Sequence, residues 1–302
     1  MYIGIDLGGT NVAIGCVDEK GNILAKKSFP TESKRGYKAI VKEMADTIHD
    51  VMSDIGLNAE DIKAIGIGSP GTVDRENGVV VFAGNLDMVK VPMADELGKY
   101  FNVPINMEND ANAAAYGEYI VCGHDADSFL LVTLGTGVGG GIILNNKIYR
   151  GFNNAGAEVG HITVMMDGEQ CTCGKKGCYE CYASVTALKK QTEDMIKKCP
   201  ETMMSEWVKE HGHISGRTAF ECADKGDKAA IEVRDNYLKY VAEGITSLMN
   251  IFQPEIIVIG GGISKEGDTL LNPVKEFCYK NDFNKFMPKT KIQIAKLFND
   301  AG

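Results

Sequence analysis

The sequence has 302 residues, of which 35 are glycine and eight are proline, with 44 % hydrophobic residues and a formal net charge of −9. Its glycine content is well above the roughly 7 % typical of proteins, but it follows no collagen-like period, and the hydrophobic content is too high for a disordered chain. The net negative charge and the lack of a long basic run argue against a nucleic-acid partner and against binding to an anionic membrane.

Targeting signals and the arrangement of the cysteines indicate the cellular compartment of the protein. No apolar run reaches the ~18 residues of a membrane span. The N-terminus, MYIGIDLGG, lacks the basic segment of a signal peptide. We therefore expect a cytoplasmic protein of about two domains. Four of the nine cysteines fall between residues 171 and 181, which in a reducing compartment indicates a metal site rather than disulfides.

The first predicted elements are two glycine-linked hairpins. Residues 3–17 are predicted to form a strand, a glycine turn and a second strand, and residues 129–144 repeat this plan. An offset of 127 (134 − 7) superposes Leu7 on Leu134 and Gly8 on Gly135. We predict two lobes of similar construction that face one another across a cleft.

The remaining predicted elements alternate between strand and helix. A first helix is predicted from apolar residues at helical spacing, namely Ile40, Met44, Ile48, Val51 and Ile55. Strands are predicted at 64–68, 103–108 and 255–263, and helices from Ala111, at 184–198 and at 227–252. This alternation indicates an α/β protein.

Three glycine-rich loops follow predicted strands, where ligands often bind in α/β sheets. In the first loop, Thr10 and Asn11 offer hydrogen bonds to phosphate oxygens, and Asp6 offers a carboxylate to Mg²⁺. The third loop offers an adenosine a surface without side chains. An ordinary tight turn is the alternative for each loop. The candidate nucleotide-binding residues are Asp6, Gly8, Gly9, Thr10, Asn11, Gly135, Thr136, Gly137, Gly261 and Gly262.

The second glycine loop, GTGVGG at 135–140, matches the dinucleotide fingerprint G-x-G-x-x-G. That fingerprint requires a helix after the loop. Residues 141–144 instead predict a returning strand, so a nicotinamide-dependent dehydrogenase is disfavoured and a phosphate-binding hairpin is favoured.

Three carboxylates are candidates for chemistry. Asp110 is predicted at the first turn of a helix, where it is either a helix cap or a catalytic group. Glu158 and Glu180 flank the cysteine cluster. A paired-carboxylate glycosidase is an alternative, but it leaves the three glycine loops unexplained.

The cysteine cluster predicts a structural zinc site. His161 is followed by nine residues and then by CTCGKKGCYEC, in which Gly174 and Gly177 allow a tight turn between ligands. Spacing alone leaves open whether zinc takes four cysteines or three cysteines with His161. A di-iron site built on Glu158 and His161 needs a second copy of that motif, which the sequence lacks.

Six motifs in one order resemble the ROK family (repressors, open reading frames and sugar kinases). They are DLGGTN (6–11), GIGSPGTVD (66–74), AGNL (83–86), ENDANAAAYGE (108–118), LGTGVGGG (134–141) and the zinc signature from Gly160-His161 to CTCGKKGCYE. The resemblance covers essentially the whole chain. It implies an actin-like ATPase (ribonuclease H-like) fold whose lobes, residues 1–116 and 117–302, enclose an ATP and sugar cleft.

The resemblance also implies an activity, the ATP- and Mg²⁺-dependent phosphorylation of a hexose at its 6-hydroxyl, with glucose as the expected sugar. Asp110 would be the general base. The implied sugar-binding residues are Gly71, Asn85, Asn109, Asp110, Glu158, His161 and Glu180. Zinc would fall on His161, Cys171, Cys173 and Cys178, which leaves Cys181 free. We expect a homodimer or homotetramer.

The chain departs from the family pattern at two positions. Many relatives have lysine where this chain has Asn11, and the family's glucokinases often have an aromatic residue where it has Met88. Kinases of N-acetylmannosamine, N-acetylglucosamine or fructose therefore stay open, as does polyphosphate as the donor. A sugar-responsive repressor would need a helix-turn-helix before the first loop, where only five residues precede Asp6.

Overall fold

The structure, a computed structural model, describes residues 1–122 and 125–297. Its chain divides into two compact units. Of the described residues, the first comprises Met1–Val121 with Ile148–Gly156, and the second comprises the rest of residues 122–147 together with residues 157–297. Among the described residues, no helix is both long and apolar enough to cross a bilayer.

Residues 1–122 contain eight strands and three helices. The strands are β1 (Tyr2–Leu7), β2 (Asn11–Val17), β3 (Ile23–Pro30), β4 (Ala64–Ser69), β5 (Thr72–Asp74), β6 (Val79–Ala83), β7 (Met88–Val91) and β8 (Ile105–Asn109). The helices are α1 (Tyr37–Asp54), α2 (Met93–Gly98) and α3 (Asp110–Cys122).

Burial explains why α1 forms where the spacing predicts it. Four of the five apolar residues are fully buried, namely Ile40, Met44, Ile48 and Val51. They join one hydrophobic core with the inward residues of β1, Ile3, Ile5 and Leu7. The fifth residue, Ile55, lies just beyond the last helical residue, Asp54.

The later elements form a second set of strands and helices. The strands are β9 (Ser128–Leu134), β10 (Val138–Leu144), β11 (Lys147–Tyr149), β12 (Ile256–Gly260) and β13 (Lys291–Ile294). The helices are α4 (Glu180–Ala183), α5 (Val185–Lys198), α6 (Met203–His211), α7 (Thr218–Asp224), α8 (Lys228–Phe252) and α9 (Asp268–Asn281).

The two five-stranded sheets have the same strand order, which confirms the predicted similarity of construction. The orders are β3-β2-β1-β4-β8 and β11-β10-β9-β12-β13. In each sheet the first hairpin strand is central and pairs in parallel with a later strand. Asp6 therefore lies opposite Gly68, and Thr133 lies opposite Gly260.

The hairpin loops differ in length by one residue. Leu7 pairs with Val12, whereas Leu134 pairs with Val138. The offset of 127 between the first strands therefore becomes 126 (138 − 12) between the second strands. Strand β10 returns antiparallel to β9, so the helix that a dinucleotide fingerprint requires is replaced by the predicted strand.

A three-stranded sheet, β5-β6-β7, was not predicted. Its clearest signal is the β-branched and aromatic run at 79–82. This sheet carries the turn at Gly71 and leads into the turn Gly84–Leu86, so it supports two segments that were predicted to bind sugar.

Candidate active site and metal centre

The loop between β1 and β2 is held in place by the buried residue Thr31. Its hydroxyl donates to the Gly8 carbonyl at 2.6 Å, and its N–H donates to the Thr10 carbonyl at 2.9 Å. The Gly8 N–H donates to the Asn11 carbonyl at 3.1 Å. Protein groups thus engage these carbonyls, while Gly9, Thr10 and Asn11 of the loop are exposed to solvent.

Two pairs of predicted site residues meet in the first unit. A Cβ on Gly9 would lie 2.9 Å from Nδ2 of Asn85. Asn109 donates from Nδ2 to the Gly71 carbonyl at 3.3 Å. Gly71 has a φ of +80°, and a Cβ there would lie 2.1 Å from the Phe82 carbonyl oxygen, so only glycine fits.

Asp110 is the first residue of α3, but the capping hydrogen bond comes from its neighbour. Oδ1 of Asn109 accepts from the Asn112 N–H at 3.2 Å, which is the N-cap pattern. The Asp110 carboxylate accepts from the Ala111 N–H at 2.8 Å, and its other hydrogen-bond partners are its own backbone and the Asn109 side chain. The capping role therefore belongs to Asn109, and the Asp110 carboxylate is available for another function.

Asp110 and Asp6 influence each other electrostatically. Burial raises the pKa of Asp110, although its hydrogen bond from Ala111 acts in the opposite direction. Burial also raises the pKa of Asp6, and the negative charge of Asp110 raises it further. Two half-buried carboxylates that repel each other are a donor set suited to a hard cation such as Mg²⁺.

We expect Asp6→Asn to stabilise the cation-free protein. Because the folded-state pKa of Asp6 is raised, its ionised form destabilises the fold, and this cost develops as the pH rises above the ordinary value of 3.8. At neutral pH the variant's unfolding midpoint should rise by about 2 to 4 °C. The gain should vanish below the ordinary pKa, and millimolar Mg²⁺ should reduce it.

Asp18→Asn is the control of opposite sign. Hydrogen bonds from Asn22 lower the pKa of Asp18, so its charged form favours the fold and its replacement should lower the midpoint at neutral pH. Thermal unfolding of both variants across pH measures the effect. A lowered midpoint for Asp6→Asn at neutral pH would show that Asp6 stabilises the fold.

Glu180 holds the second glycine loop. Its Oε2 accepts from the Val138 N–H at 3.0 Å. A Cβ on Gly137 would lie 2.3 Å from the same oxygen, so a side chain there would displace this carboxylate. The Glu180 carboxylate thus supports the loop that was predicted to bind phosphate, a contact that spacing along the chain gave no reason to expect.

The start of α5 holds the carbonyls of the same loop. The Val185 N–H donates to the Gly135 carbonyl at 2.8 Å. The Thr186 hydroxyl donates to the Thr136 carbonyl at 2.7 Å. As in the first loop, protein groups donate hydrogen bonds to the carbonyl oxygens of the loop.

The third glycine cluster contains one position that requires glycine for steric reasons. Gly261 has a φ of +84°, and a Cβ there would lie 2.3 Å from the Leu134 carbonyl oxygen. The buried Ser264 donates its hydroxyl to the Gly261 carbonyl at 2.7 Å. At Gly262 a Cβ would meet no described atom within 4 Å, so packing does not dictate that glycine.

The structure brings together the four residues that the family resemblance assigns to zinc. The ligand atoms of His161, Cys171, Cys173 and Cys178 all lie within 4.8 Å of one another. The sulfurs of Cys173 and Cys178 are 3.6 Å apart. A tetrahedral zinc ion with ordinary Zn–S bonds separates its sulfurs by roughly 3.8 Å, so the cluster fits zinc.

Cys181 lies outside this group of four. Its thiol is directed to the Gln170 carbonyl at 3.8 Å. Nδ1 of His161, by contrast, lies 3.6 Å from the Cys171 sulfur. Spacing left open the choice between four cysteines and three cysteines with His161. The mutually close ligand atoms are those of three cysteines and His161, which favours the set with the histidine.

Two glycines shape the turn between the ligands, as predicted. Gly174 has a φ of +91° and Gly177 a φ of +76°. A Cβ on Gly177 would lie 1.6 Å from the Met165 carbonyl oxygen. The Cys171 N–H also donates to the Lys175 carbonyl at 2.8 Å. The backbone of the cluster is therefore shaped for close approach of the thiols.

The thiols differ in acidity. Burial opposes ionisation of Cys171, but hydrogen bonds from Cys173, Cys178 and His161 outweigh it and lower its pKa to about 7. Burial and hydrogen bonds with the neighbouring thiols raise the pKa of Cys178 to about 12. Because zinc binds thiolates, its binding requires Cys178 to release a proton.

The other predicted sugar residues of the second unit adjoin this cluster. Glu158 immediately precedes the short turn Val159–His161, and its carbonyl accepts from the His161 N–H at 3.1 Å. Nδ1 of His161 is directed to the cluster, which leaves Nε2 on the opposite edge of the ring. The Cys171 thiol is directed to Oε1 of Glu180 at 4.0 Å. Glu180 therefore contacts both the cluster and the second glycine loop.

Two sheets of identical strand order, each with a glycine-linked hairpin at its centre, define the actin-like ATPase class of α/β fold. The ROK family model matches residues 2–302. The chain belongs to the ROK family. Both the fold class and the family predicted from the sequence are confirmed.

Three relatives illustrate the range of the family. Glucokinase from Thermotoga maritima is 36 % identical over 302 residues, which cover 99 % of this chain and 94 % of the relative. The xylose repressor of Caldicellulosiruptor bescii is 30 % identical, over 99 % of this chain and 75 % of the repressor. The crystal structure of a ROK family glucokinase from Streptomyces griseus in complex with glucose and AMPPNP is 34 % identical, with a TM-score of 0.84 over 99 % of this chain and 96 % of that chain.

Proposed function

We propose that this protein is an ATP-dependent hexose kinase that converts glucose to glucose 6-phosphate. The observation that carries the proposal is the half-buried carboxylate of Asp110 at the start of α3. Asn109 makes the capping hydrogen bond in its place, and the charge of Asp110 acts on Asp6. The similarity to bacterial glucokinases, including one bound to glucose and AMPPNP, supports this assignment.

The proposed reaction is an in-line phosphoryl transfer. The 6-hydroxyl oxygen forms a bond to the γ-phosphorus of ATP, the bond from that phosphorus to the β,γ-bridging oxygen breaks, and the hydroxyl proton passes to Asp110. The products are glucose 6-phosphate and ADP. Because burial raises the pKa of Asp110, the carboxylate is a better proton acceptor than an exposed aspartate.

The glycine loops are proposed to bind the nucleotide. In both hairpin loops protein groups engage carbonyl oxygens, which reduces the carbonyl charge presented to a phosphate and favours binding through N–H groups. Thr10 and Asn11 supply side-chain donors, and Gly261-Gly262 supply the adenosine surface. Mg²⁺ held at Asp6 supplies charge neutralisation for the transferring phosphate.

The proposed sugar-binding residues are Gly71, Asn85, Asn109, Asp110, Glu158, His161 and Glu180. Zinc bound by His161 and the three cysteines supplies a fixed cross-link. With Nδ1 of His161 directed to the cluster, Nε2 is the ring atom that would meet a sugar hydroxyl. The zinc site would thereby orient a substrate-binding residue.

A coupled ADP-release assay tests the substrate. The panel is glucose, fructose, N-acetylglucosamine and N-acetylmannosamine, each with ATP and separately with polyphosphate, where product sugar phosphate is measured directly. We expect the highest kcat/KM with glucose and ATP, and phosphorus NMR should place the ester on the 6-oxygen. A higher kcat/KM with an N-acylhexosamine would reassign the sugar, and no phosphorylation of any sugar would overturn the kinase proposal.

A further inference from the structure

The carboxylate of Glu108, at the end of β8, joins groups that surround the proposed base. Its side chain is only 15 % exposed. Oε1 accepts from the Asn109 N–H at 3.1 Å and from Nδ2 of Asn112 at 3.3 Å. The capping hydrogen bond joins Asn109 to Asn112, and Asp110 lies between these two residues in the chain.

The second oxygen of Glu108 is bound mainly by Arg150. Nε and Nη2 of Arg150 donate to Oε2 of Glu108 at 2.9 and 2.6 Å. Both side chains are largely shielded, with Arg150 22 % exposed. An ion pair with two charge-assisted hydrogen bonds and little water is stronger than a surface pair, and loss of one partner leaves a poorly solvated charge.

Arg150 in turn organises the segment in which it lies. Its Nη1 donates to the Ile148 carbonyl at 3.1 Å, and its own carbonyl accepts from the Gly156 N–H at 2.8 Å. Residues 150–156 therefore form a closed loop. Two residues after this loop, the chain reaches Glu158, which is proposed to bind sugar.

Asn112 carries an unmet hydrogen-bonding group in this network. Its side chain is 6 % exposed, and among the residues that the structure describes its Oδ1 has no hydrogen-bond partner. A buried amide is normally satisfied through both its oxygen and its nitrogen. Asn112 is therefore held in this network through its Nδ2 contact with Glu108.

We propose that Glu108 is a positioning residue, which fixes the Asn109-Asp110 junction and couples it through Arg150 to the segment 148–156. The proposal rests on the proposed kinase function, because its consequence is correct placement of Asp110 for proton transfer. A base that is misplaced by about 1 Å can lower the rate by roughly 10²-fold. The charge on Glu108 takes no part in the chemistry.

The test is a double-mutant cycle of Glu108→Gln and Arg150→Gln, with Arg75→Gln as the matched control. Arg75 is 43 % exposed and meets the same Oε2 atom through a single contact at 3.1 Å. Each variant is assayed for kcat and for the glucose and ATP KM values, at a temperature at which it is fully folded.

Either single variant should lower kcat about 10- to 100-fold while the ATP KM changes little. The double variant should fall little further, since each single change already breaks the same pair. Arg75→Gln should stay within about threefold of the wild type, as expected for an exposed ion pair. Unchanged kcat in both folded single variants, or additive losses in the double variant, would overturn the proposal.

Hydrogen exchange separates this inference from the proposed function. Arg150→Gln should speed amide exchange at Gly156, whose N–H closes the loop, while Arg75→Gln should not. If the wild type phosphorylates no sugar, the kinase proposal fails, and exchange still reports on the coupling. If the wild type is active but exchange and kcat are unaffected by Arg150→Gln, the coupling fails alone.

Discussion

Replacing Asp110 by asparagine is expected to lower kcat for sugar phosphorylation by about 10²- to 10⁴-fold, the usual contribution of a general base. The sugar KM should change little, because asparagine keeps the shape and one hydrogen-bonding oxygen. The unfolding midpoint should be unchanged or slightly higher at neutral pH, since burial disfavours the charge that is removed. Steady-state kinetics and thermal unfolding measure both effects.

Asp268→Asn is the matched control for this variant. Asp268 is the first residue of α9, as Asp110 is of α3, but it is exposed. Both changes remove a negative charge from a helix N-terminus, so a general effect of that charge would appear in both. We expect full activity for Asp268→Asn. Retention of kcat within about tenfold by Asp110→Asn would be incompatible with a role as base.

Removal of zinc is expected to have the largest effect on stability. We expect about one equivalent of zinc per chain, and Cys178→Ser should abolish most of it, because a hydroxyl does not replace a buried thiolate ligand. Loss of a structural zinc ion removes much of the free energy that orders its ligand loop, so the unfolding midpoint should fall by roughly 10 °C or more. Elemental analysis and thermal unfolding provide the measurements.

Cys181→Ser is the control for the zinc site. Cys181 lies three residues from Cys178 but outside the group of four ligand atoms, so this variant should keep its zinc and its midpoint. If Cys181→Ser loses zinc and Cys178→Ser keeps it, the ligand set is wrong. Full stability of a metal-free wild-type protein would show instead that the cluster needs no metal for folding.

Loss of zinc should also affect nucleotide binding through Glu180. Glu180 follows the zinc-ligand candidate Cys178 by two residues, and its Oε2 accepts from the Val138 N–H. A disordered cysteine cluster would release the carboxylate that supports the second glycine loop. In Cys178→Ser the ATP KM should therefore rise, whereas in Cys181→Ser it should not.

Much of the fold could be predicted because it depends on local patterns. Alternating apolar residues in β1 and the helical stripe of α1 are local signals that burial in a core then satisfies. The small sheet β5-β6-β7 was missed because its strands have three to five residues. A strand that short carries few alternations of pattern, and its stability comes from pairing with distant neighbours.

The candidate site likewise has features that the sequence predicted and contacts that only the structure shows. The glycine positions, Asp110 and the zinc cluster were visible as residue types at characteristic spacing. Three contacts of the site were not visible in the sequence. They join Thr31 to Gly8, Glu180 to Val138 and Arg150 to Glu108, and their partners lie 23, 42 and 42 positions apart. No pattern along the chain records which distant groups will meet.

By itself the sequence determined the α/β class, the repeated hairpin and the surplus of glycine at loops, because each follows from short-range periodicity and steric need. Only the tertiary structure decided that Asn109 rather than Asp110 caps α3. It also brings His161 rather than Cys181 to the three other cysteines, a choice that spacing left open and the family resemblance implied. Both choices lie between chemically suitable neighbours. They are settled by the direction in which packing holds each side chain, which is a property of the folded chain as a whole.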